Sequence, residues 1–233
     1  MATKAWLQER GRDVIRWFRN GRRDFRVRNG RLHPLIHPHT KLRFASRLYQ
    51  LTVGLLDLLG VPEIVEFFLR AVTHSSRLTD GEIGMITAVL GQHALRHDDI
   101  RLLHGGLLNL IFRVNGGYAF AYCHTICMPE NGRHSRTNRP ILMHELTHVY
   151  QYEQVGSRYL GEAIYVLIKT KRDCYRYGGK AGLQAVKAEN GRFADFNREQ
   201  QAMIVQDYFT LKERGEETAV YTPFIEQIRN GEL

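Results

Sequence analysis

The spacing of apolar residues along the chain predicts a mainly helical protein with a small group of strands. The most apolar run, residues 48–69, is interrupted by Asp57, Glu63 and Glu66 and by a proline at residue 62. This run is therefore expected to form two buried helices rather than a membrane span. Apolar residues recur at helical spacing in five stretches, near residues 42–59, 62–73, 158–171, 181–189 and 197–213.

Short apolar runs with β-branched and aromatic residues predict a sheet in the middle of the chain. Thr79, followed three residues later by Glu82, predicts a capping box and hence the start of a helix. We then expect a small mixed sheet before a helix that begins near Pro140 and ends at Gly156. The predicted fold class is α+β. The runs expected to form strands are residues 100–104, 107–114 and 118–129.

Positive charge is concentrated near the start of the chain, which carries a net charge of +9 over 233 residues. Nine arginines lie between Arg10 and Arg31, and an apolar stripe at helical spacing runs through residues 3–20. We interpret residues 1–75 as a basic helical N-terminal region and residues 76–233 as a second domain. No nucleic-acid motif accompanies the charge, so a solvated or docking face is favoured over specific nucleic-acid binding, and membrane contact stays open.

The first residues and the cysteines bear on the cellular compartment. The start of the chain has no uninterrupted apolar core and no small-residue cleavage site, which predicts synthesis in the cytoplasm without a general secretory signal. Three cysteines cannot all pair, and Cys123 and Cys127 on one strand would lie about 13 Å apart, too far for a disulfide. A reducing compartment is therefore compatible with the sequence.

The stretch "PILMHELTHVYQYEQ", residues 140–154, carries the chemistry of the chain. Residues four apart share one face of a helix, so His144 and His148 can bind one metal ion. Glu145 would lie beside this ion and could move a proton to and from a water that Zn²⁺ activates. The residue frequencies, 11 His and 15 Glu in 233, give about 0.03 chance matches to this motif per sequence.

A catalytic zinc site needs a third protein ligand. Glu199 is the preferred candidate, because it opens a helix with an inward apolar stripe and small Ala202 lets helices approach closely; Glu162 or another His or Asp is the alternative. His93 and His97 repeat the spacing without a glutamate and are read as a helix end. A group that stabilises the oxyanion is also expected, with four candidates: Tyr208, Tyr175, Tyr177 and His134.

Several segments resemble the small gluzincin-like metallopeptidase domains associated with Rhs-type polymorphic toxins and type VI secretion spike proteins. The resemblance runs from about Leu78 to Phe209 and rests on "LTDGEIGMITAVLG", "AYCHTICMP", "HELTHVYQYEQ" and "FNREQQAMIVQDYF". It implies a zincin-like fold with His144, His148 and Glu199 as ligands of Zn²⁺ and Glu145 as the base. Met203 stands where larger gluzincins carry an aspartate, which leaves Asp207 as the candidate partner that orients His144.

The resemblance also implies how a substrate would bind. Residues 121–125 (Ala121, Tyr122, Cys123, His124 and Thr125) would form the edge strand that pairs with an extended protein or peptide. The expected function is that of a zinc peptidase and secreted effector, exported by a specialised secretion system, with a secretion-spike, chaperone or immunity protein as partner. The alternative is a non-catalytic zinc-containing binding or structural module of a secretion system.

Overall fold

The computed structural model of the protein describes residues 43–233, together with residues 11, 12 and 15, which are helical. The remainder of the predicted basic helix at residues 3–20 and most of the arginine cluster lie outside the described residues. The described part is an α+β structure, mainly helical, as the apolar spacing predicts. Its helices are α1 (Arg43–Leu58), α2 (Val61–Ala71), α3 (Asp80–Leu90), α4 (Leu108–Asn115), α5 (Arg139–Val155), α6 (Arg158–Thr170), α7 (Gly179–Ala188), α8 (Arg198–Glu213) and α9 (Thr222–Arg229).

Four short strands form one mixed sheet between α2 and α5. The strands are β1 (His74–Ser76), β2 (Arg101–His104), β3 (Phe120–Tyr122) and β4 (Thr125–Cys127), and their order in the sheet is β1-β2-β4-β3. The central pair β2 and β4 is parallel, whereas β1 and β3 pair antiparallel to their neighbours. The prediction of a small mixed sheet before the motif helix is confirmed.

Two of the predicted strand runs fold differently. Residues 107–114 form α4 rather than a strand, since Leu108 and Phe112, four residues apart, share one buried helix face. Residues 118–129 form the hairpin β3–β4 instead of one long strand. The turn lies at Cys123, whose φ of 54° is in the left-handed region, and at His124.

Helices α1 and α2 form at the predicted positions but are oriented opposite to expectation. Their acidic residues face the protein: Asp57 accepts a hydrogen bond from the backbone N–H of Ser157 at 3.0 Å, and Glu66 accepts one from the backbone N–H of His124 at 2.7 Å. Many of their leucines and phenylalanines are exposed to solvent. The prediction that both helices are buried is therefore wrong.

The main hydrophobic core surrounds α5. Leu142, Leu146 and Val149 of this helix are fully buried and pack among side chains of α3, α8 and α9. None of the helices in the described part of the chain combines the length and the apolar character needed to cross a membrane. The division of the chain at residue 75 stays a prediction; β1 lies across that boundary.

Candidate metal centre

Local sequence sets both ends of the two helices that build the site. The side chain of Asn138 accepts a hydrogen bond from the N–H of Ile141 at the start of α5, and Gly156, at a φ of 69°, ends it. Asn197 and Gln200 form a capping box at the start of α8, which places Glu199 in the first turn. Because α8 packs along α5, this turn lies over the motif.

The two motif histidines and the glutamate from α8 come together as predicted. The Nε2 atoms of His144 and His148 each lie 3.4 Å from the same carboxylate oxygen, Oε2 of Glu199. The three ligand atoms lie within 4.8 Å of one another, and all three residues are more than nine-tenths buried. A buried cluster of two imidazoles and one carboxylate can bind a metal ion.

Charges within the cluster shift the pKa values of its members. Burial opposes ionisation of Glu199, but the adjacent His148 and His144 hold the pKa of its carboxyl well below the ordinary value. Burial also opposes protonation of His148, yet the Glu199 carboxylate raises the pKa of this imidazole to about 9. Glu145 is fully enclosed, and its burial raises the pKa of its carboxyl despite the two imidazoles. A raised pKa suits a carboxylate that must accept a proton near neutral pH.

Two glutamines, Gln151 and Gln201, hold His148 through its Nδ1 atom; we call this pair the glutamine relay. The Nε2 of Gln151 lies 3.0 Å from the backbone carbonyl of Arg198 and 3.0 Å from Oε1 of Gln201, so this nitrogen must donate. Its Oε1 is then an acceptor, 2.8 Å from Nδ1 of His148. The Nδ1–H of His148 therefore donates to Gln151, which leaves Nε2, the atom that faces Glu199, as the nitrogen available to a metal ion.

The predicted contact between Asp207 and His144 is not made. Asp207 accepts a hydrogen bond from the hydroxyl of Tyr177, which also lies 3.0 Å from the hydroxyl of Tyr221. The Nδ1 of His144 is buried and has no hydrogen-bond partner among residues 43–233. The ring of His144 is held instead by packing, with Tyr175 at 6.2 Å between ring centroids.

Among the four oxyanion candidates, two lie beside the cluster. Tyr175 is half-buried next to His144, where burial and the Glu199 carboxylate raise the pKa of its hydroxyl, so it stays a proton donor. His134 is partly exposed, and burial, Arg133 and His144 lower its pKa. Its ring lies 4.7 Å from that of Tyr118. Tyr177 and Tyr208 are buried in the main hydrophobic core.

The residues predicted to bind an extended substrate are divided between strand and turn. Ala121 and Tyr122 lie on β3, an edge strand of the sheet, whereas Thr125 lies on β4, which is paired on both sides. Cys123 and His124 form the turn between them. Of these five residues, only Ala121 and Tyr122 therefore lie on an edge strand of the described sheet.

Tyr159 of α6 connects this hairpin to His148. Its ring stacks on that of His148 at 6.1 Å between centroids and an interplanar angle of 29°. Its hydroxyl donates to the backbone carbonyl of Ala121 at 2.9 Å and accepts from the N–H of Cys123 at 3.3 Å. Neither Tyr159 nor Gln151 was expected at the site, although Gln151 could have been found because it follows His148 by three residues on the same helix face.

The alternative third ligand is engaged elsewhere. Glu162 accepts hydrogen bonds from Nε of Arg158 at 2.6 Å and from Nε of Arg198 at 2.7 Å. It thus ties α6 to the residue that precedes Glu199. Within the described residues, the cluster of His144, His148 and Glu199 is the one group that could hold a metal ion.

Comparison of the chain with family models, with curated proteins and with solved structures gives no match. The function must therefore be argued from the geometry of this cluster and from the groups around it.

Proposed function

We propose that the protein is a zinc-dependent metallopeptidase of zincin-like fold. The observation that carries this proposal is the convergence of His144 and His148 on Glu199 with the Glu145 carboxylate buried beside them. Two imidazole nitrogens and one carboxylate oxygen are the ligands that catalytic zinc sites use, and they suit zinc better than magnesium or calcium, which prefer oxygen. One buried oxygen of Glu145 has no hydrogen-bond partner in the described chain, which fits a site built around an additional group.

When bound, zinc would acidify a water and polarise the carbonyl of the scissile peptide bond. Glu145 would take the proton of the attacking water and return it to the leaving amine, a role that its raised pKa supports. Tyr175 would donate a hydrogen bond to the oxygen on which negative charge develops. The free edge of β3 would align an extended peptide across the site by backbone pairing.

The first test separates catalysis from a purely structural metal. We expect the purified protein to contain about one zinc per chain and His148→Ala to lose it. Glu145→Gln should keep the zinc and lower the cleavage rate of an unfolded protein substrate at least about a hundredfold. Glu153→Gln is the matched control, because Glu153 lies on the same helix but pairs with Arg96 and His124.

Two outcomes would contradict the proposal. If the protein binds no metal when zinc is supplied in excess, the proposal loses the metal centre on which it depends. A zinc protein whose wild type and Glu145→Gln variant are equally inert would favour the non-catalytic structural module. The expected role as an exported effector adds a separate test: expression in a bacterial host should be toxic for the wild type and harmless for Glu145→Gln.

A further inference from the structure

The hairpin of α1 and α2 has its polar and apolar sides reversed relative to an ordinary surface helix pair. Asp57 and Glu66, the charges that interrupt the apolar run, are 9% and 6% exposed and are bonded to the body of the protein. The side chain of Arg70 also points toward the body of the protein, where it donates hydrogen bonds to Glu66 and to the hydroxyl of Thr125. An amphipathic helix in water normally buries its apolar face, so this orientation requires an explanation.

The outward side of the hairpin is apolar over both helices. We define the hairpin face as the large apolar residues of this side that are at least 40% exposed. Phe67 and Phe68 are 68% and 61% exposed. Monomeric proteins seldom leave so large a contiguous apolar patch in water without a binding partner. The hairpin face consists of Leu51, Leu55, Leu56, Leu58, Leu59, Ile64, Val65, Phe67 and Phe68.

Charge identifies the class of partner. Residues 1–75 contain 14 lysines and arginines and 6 acidic residues, a net charge of +8 out of the +9 of the whole chain. Both tryptophans, Trp6 and Trp17, lie in the same segment among its arginines. Exposed Leu and Phe, interfacial Trp and excess Arg are the combination by which peripheral proteins bind the surface of an anionic bilayer. Of the three acidic residues on the described hairpin, Asp57 and Glu66 are buried and Glu63 is only partly exposed, so little negative charge opposes such a surface.

We propose that the hairpin face inserts its apolar side chains into the interface of an anionic lipid bilayer. The arginine-rich segment before it adds electrostatic attraction to the lipid headgroups. The charged residues that face the protein hold the hairpin to the sheet through the β3–β4 turn, so the contact would place the peptidase domain at the membrane surface. This proposal does not depend on whether the metal centre is catalytic.

The test is co-sedimentation of the full chain with vesicles of phosphatidylcholine alone or mixed with phosphatidylglycerol. We expect binding to the mixed vesicles and little to phosphatidylcholine, with affinity falling as salt is added. The double variant Phe67→Ser and Phe68→Ser should bind at least about tenfold more weakly, since two buried aromatic rings are lost. The double variant Phe67→Leu and Phe68→Leu is the matched control and should retain binding, and all variants should keep the same metal content.

Three results would overturn the proposal. Equal binding of the serine variant would assign the contact to the arginines alone. Equal binding to both kinds of vesicle would remove the role of charge. Absence of binding, with a wild type that is oligomeric and a serine variant that is monomeric, would make the hairpin face an interface between copies of this chain.

Discussion

At the scale of single residues, the glutamine relay explains how His148, one of the three candidate metal ligands, is oriented without a carboxylate bonded to its Nδ1. Gln151 accepts from His148 and donates both to Gln201 and to the backbone of Arg198, the residue before Glu199. Gln201 in turn donates to the carbonyl of Phe193 at 3.1 Å. One amide therefore bonds both to His148 on α5 and to the turn of α8 that carries Glu199.

Replacing Gln151 by methionine tests this relay. Gln151→Met keeps the volume but leaves Nδ1 of His148 without its acceptor, so metal affinity should fall about 10- to 100-fold in competition with a chromophoric chelator. Gln206→Met is the control, because Gln206 lies about two turns further along α8 from Glu199 and its buried Oε1 has no hydrogen-bond partner in the described residues. Equal losses of affinity in both variants would show a general packing defect instead.

Two tyrosines two residues apart have different environments and should differ in their effect on catalysis. Tyr175→Phe should lower kcat by about tenfold to a hundredfold with KM almost unchanged, since its hydroxyl would act on charge that develops during the reaction. Tyr177→Phe should leave kcat intact and lower the melting temperature, because its hydroxyl bonds to Asp207 and Tyr221 in the core. A reversed pattern would place the proton donor at Tyr177.

At the scale of elements, the sequence predicts best where short-range chemistry decides the fold. The capping box of Thr79 and Glu82 is present at the start of α3, and α5 spans the predicted segment. Residues 107–114 were misassigned because a short apolar run suits either a strand or a buried helix. The turn at Cys123 and His124 carries no glycine, asparagine or proline, so nothing in the local sequence announces it.

The capping glutamate of α3 gives a prediction about pH. Burial opposes ionisation of Glu82, but hydrogen bonds from Arg136 and Thr79 lower the pKa of its carboxyl below the ordinary value of 4.5. A depressed pKa means that the interaction stabilises the fold above about pH 4.5 and is lost as pH falls through the folded-state pKa.

Glu82→Gln should therefore lower the free energy of unfolding by about 1 kcal/mol or less at neutral pH, because solvent screens the partly exposed pair. The difference from wild type in urea denaturation should shrink as the pH approaches 3. A difference that stays constant with pH would mean that the charge of Glu82 is not what matters.

At the scale of the whole molecule, the sequence predicts one contact between distant segments and misses others. Glu199 was selected from its place at the start of a buried helix, and the structure brings it to both histidines. The orientation of α1 and α2 could not be read in this way, because apolar periodicity shows that a helix has two faces but not which face meets the protein. The domain boundary predicted at residue 75 from composition falls within β1.

A fragment of residues 76–233 should consequently be less stable than one of residues 43–233. It lacks His74 and Ser75 of β1 and the Glu66 carboxylate that bonds to His124 and Thr125. Hydrogen bonds to a buried charge contribute about 1.5 to 3 kcal/mol each, so the loss should be at least about 3 kcal/mol in urea denaturation. Equal stability of the two fragments would support an autonomous domain that begins at residue 76.

The support of His148, which is the glutamine relay and the carbonyls to which it bonds, also bears on how the site responds to pH. It consists of two side-chain amides and two backbone carbonyls, none of which gains or loses a proton over the range of pH that cells experience. The same scaffold is therefore in place in an acidic vesicle and in a neutral cytoplasm. A protein built in this way keeps the hydrogen bonds that position His148 as the acidity of its surroundings changes.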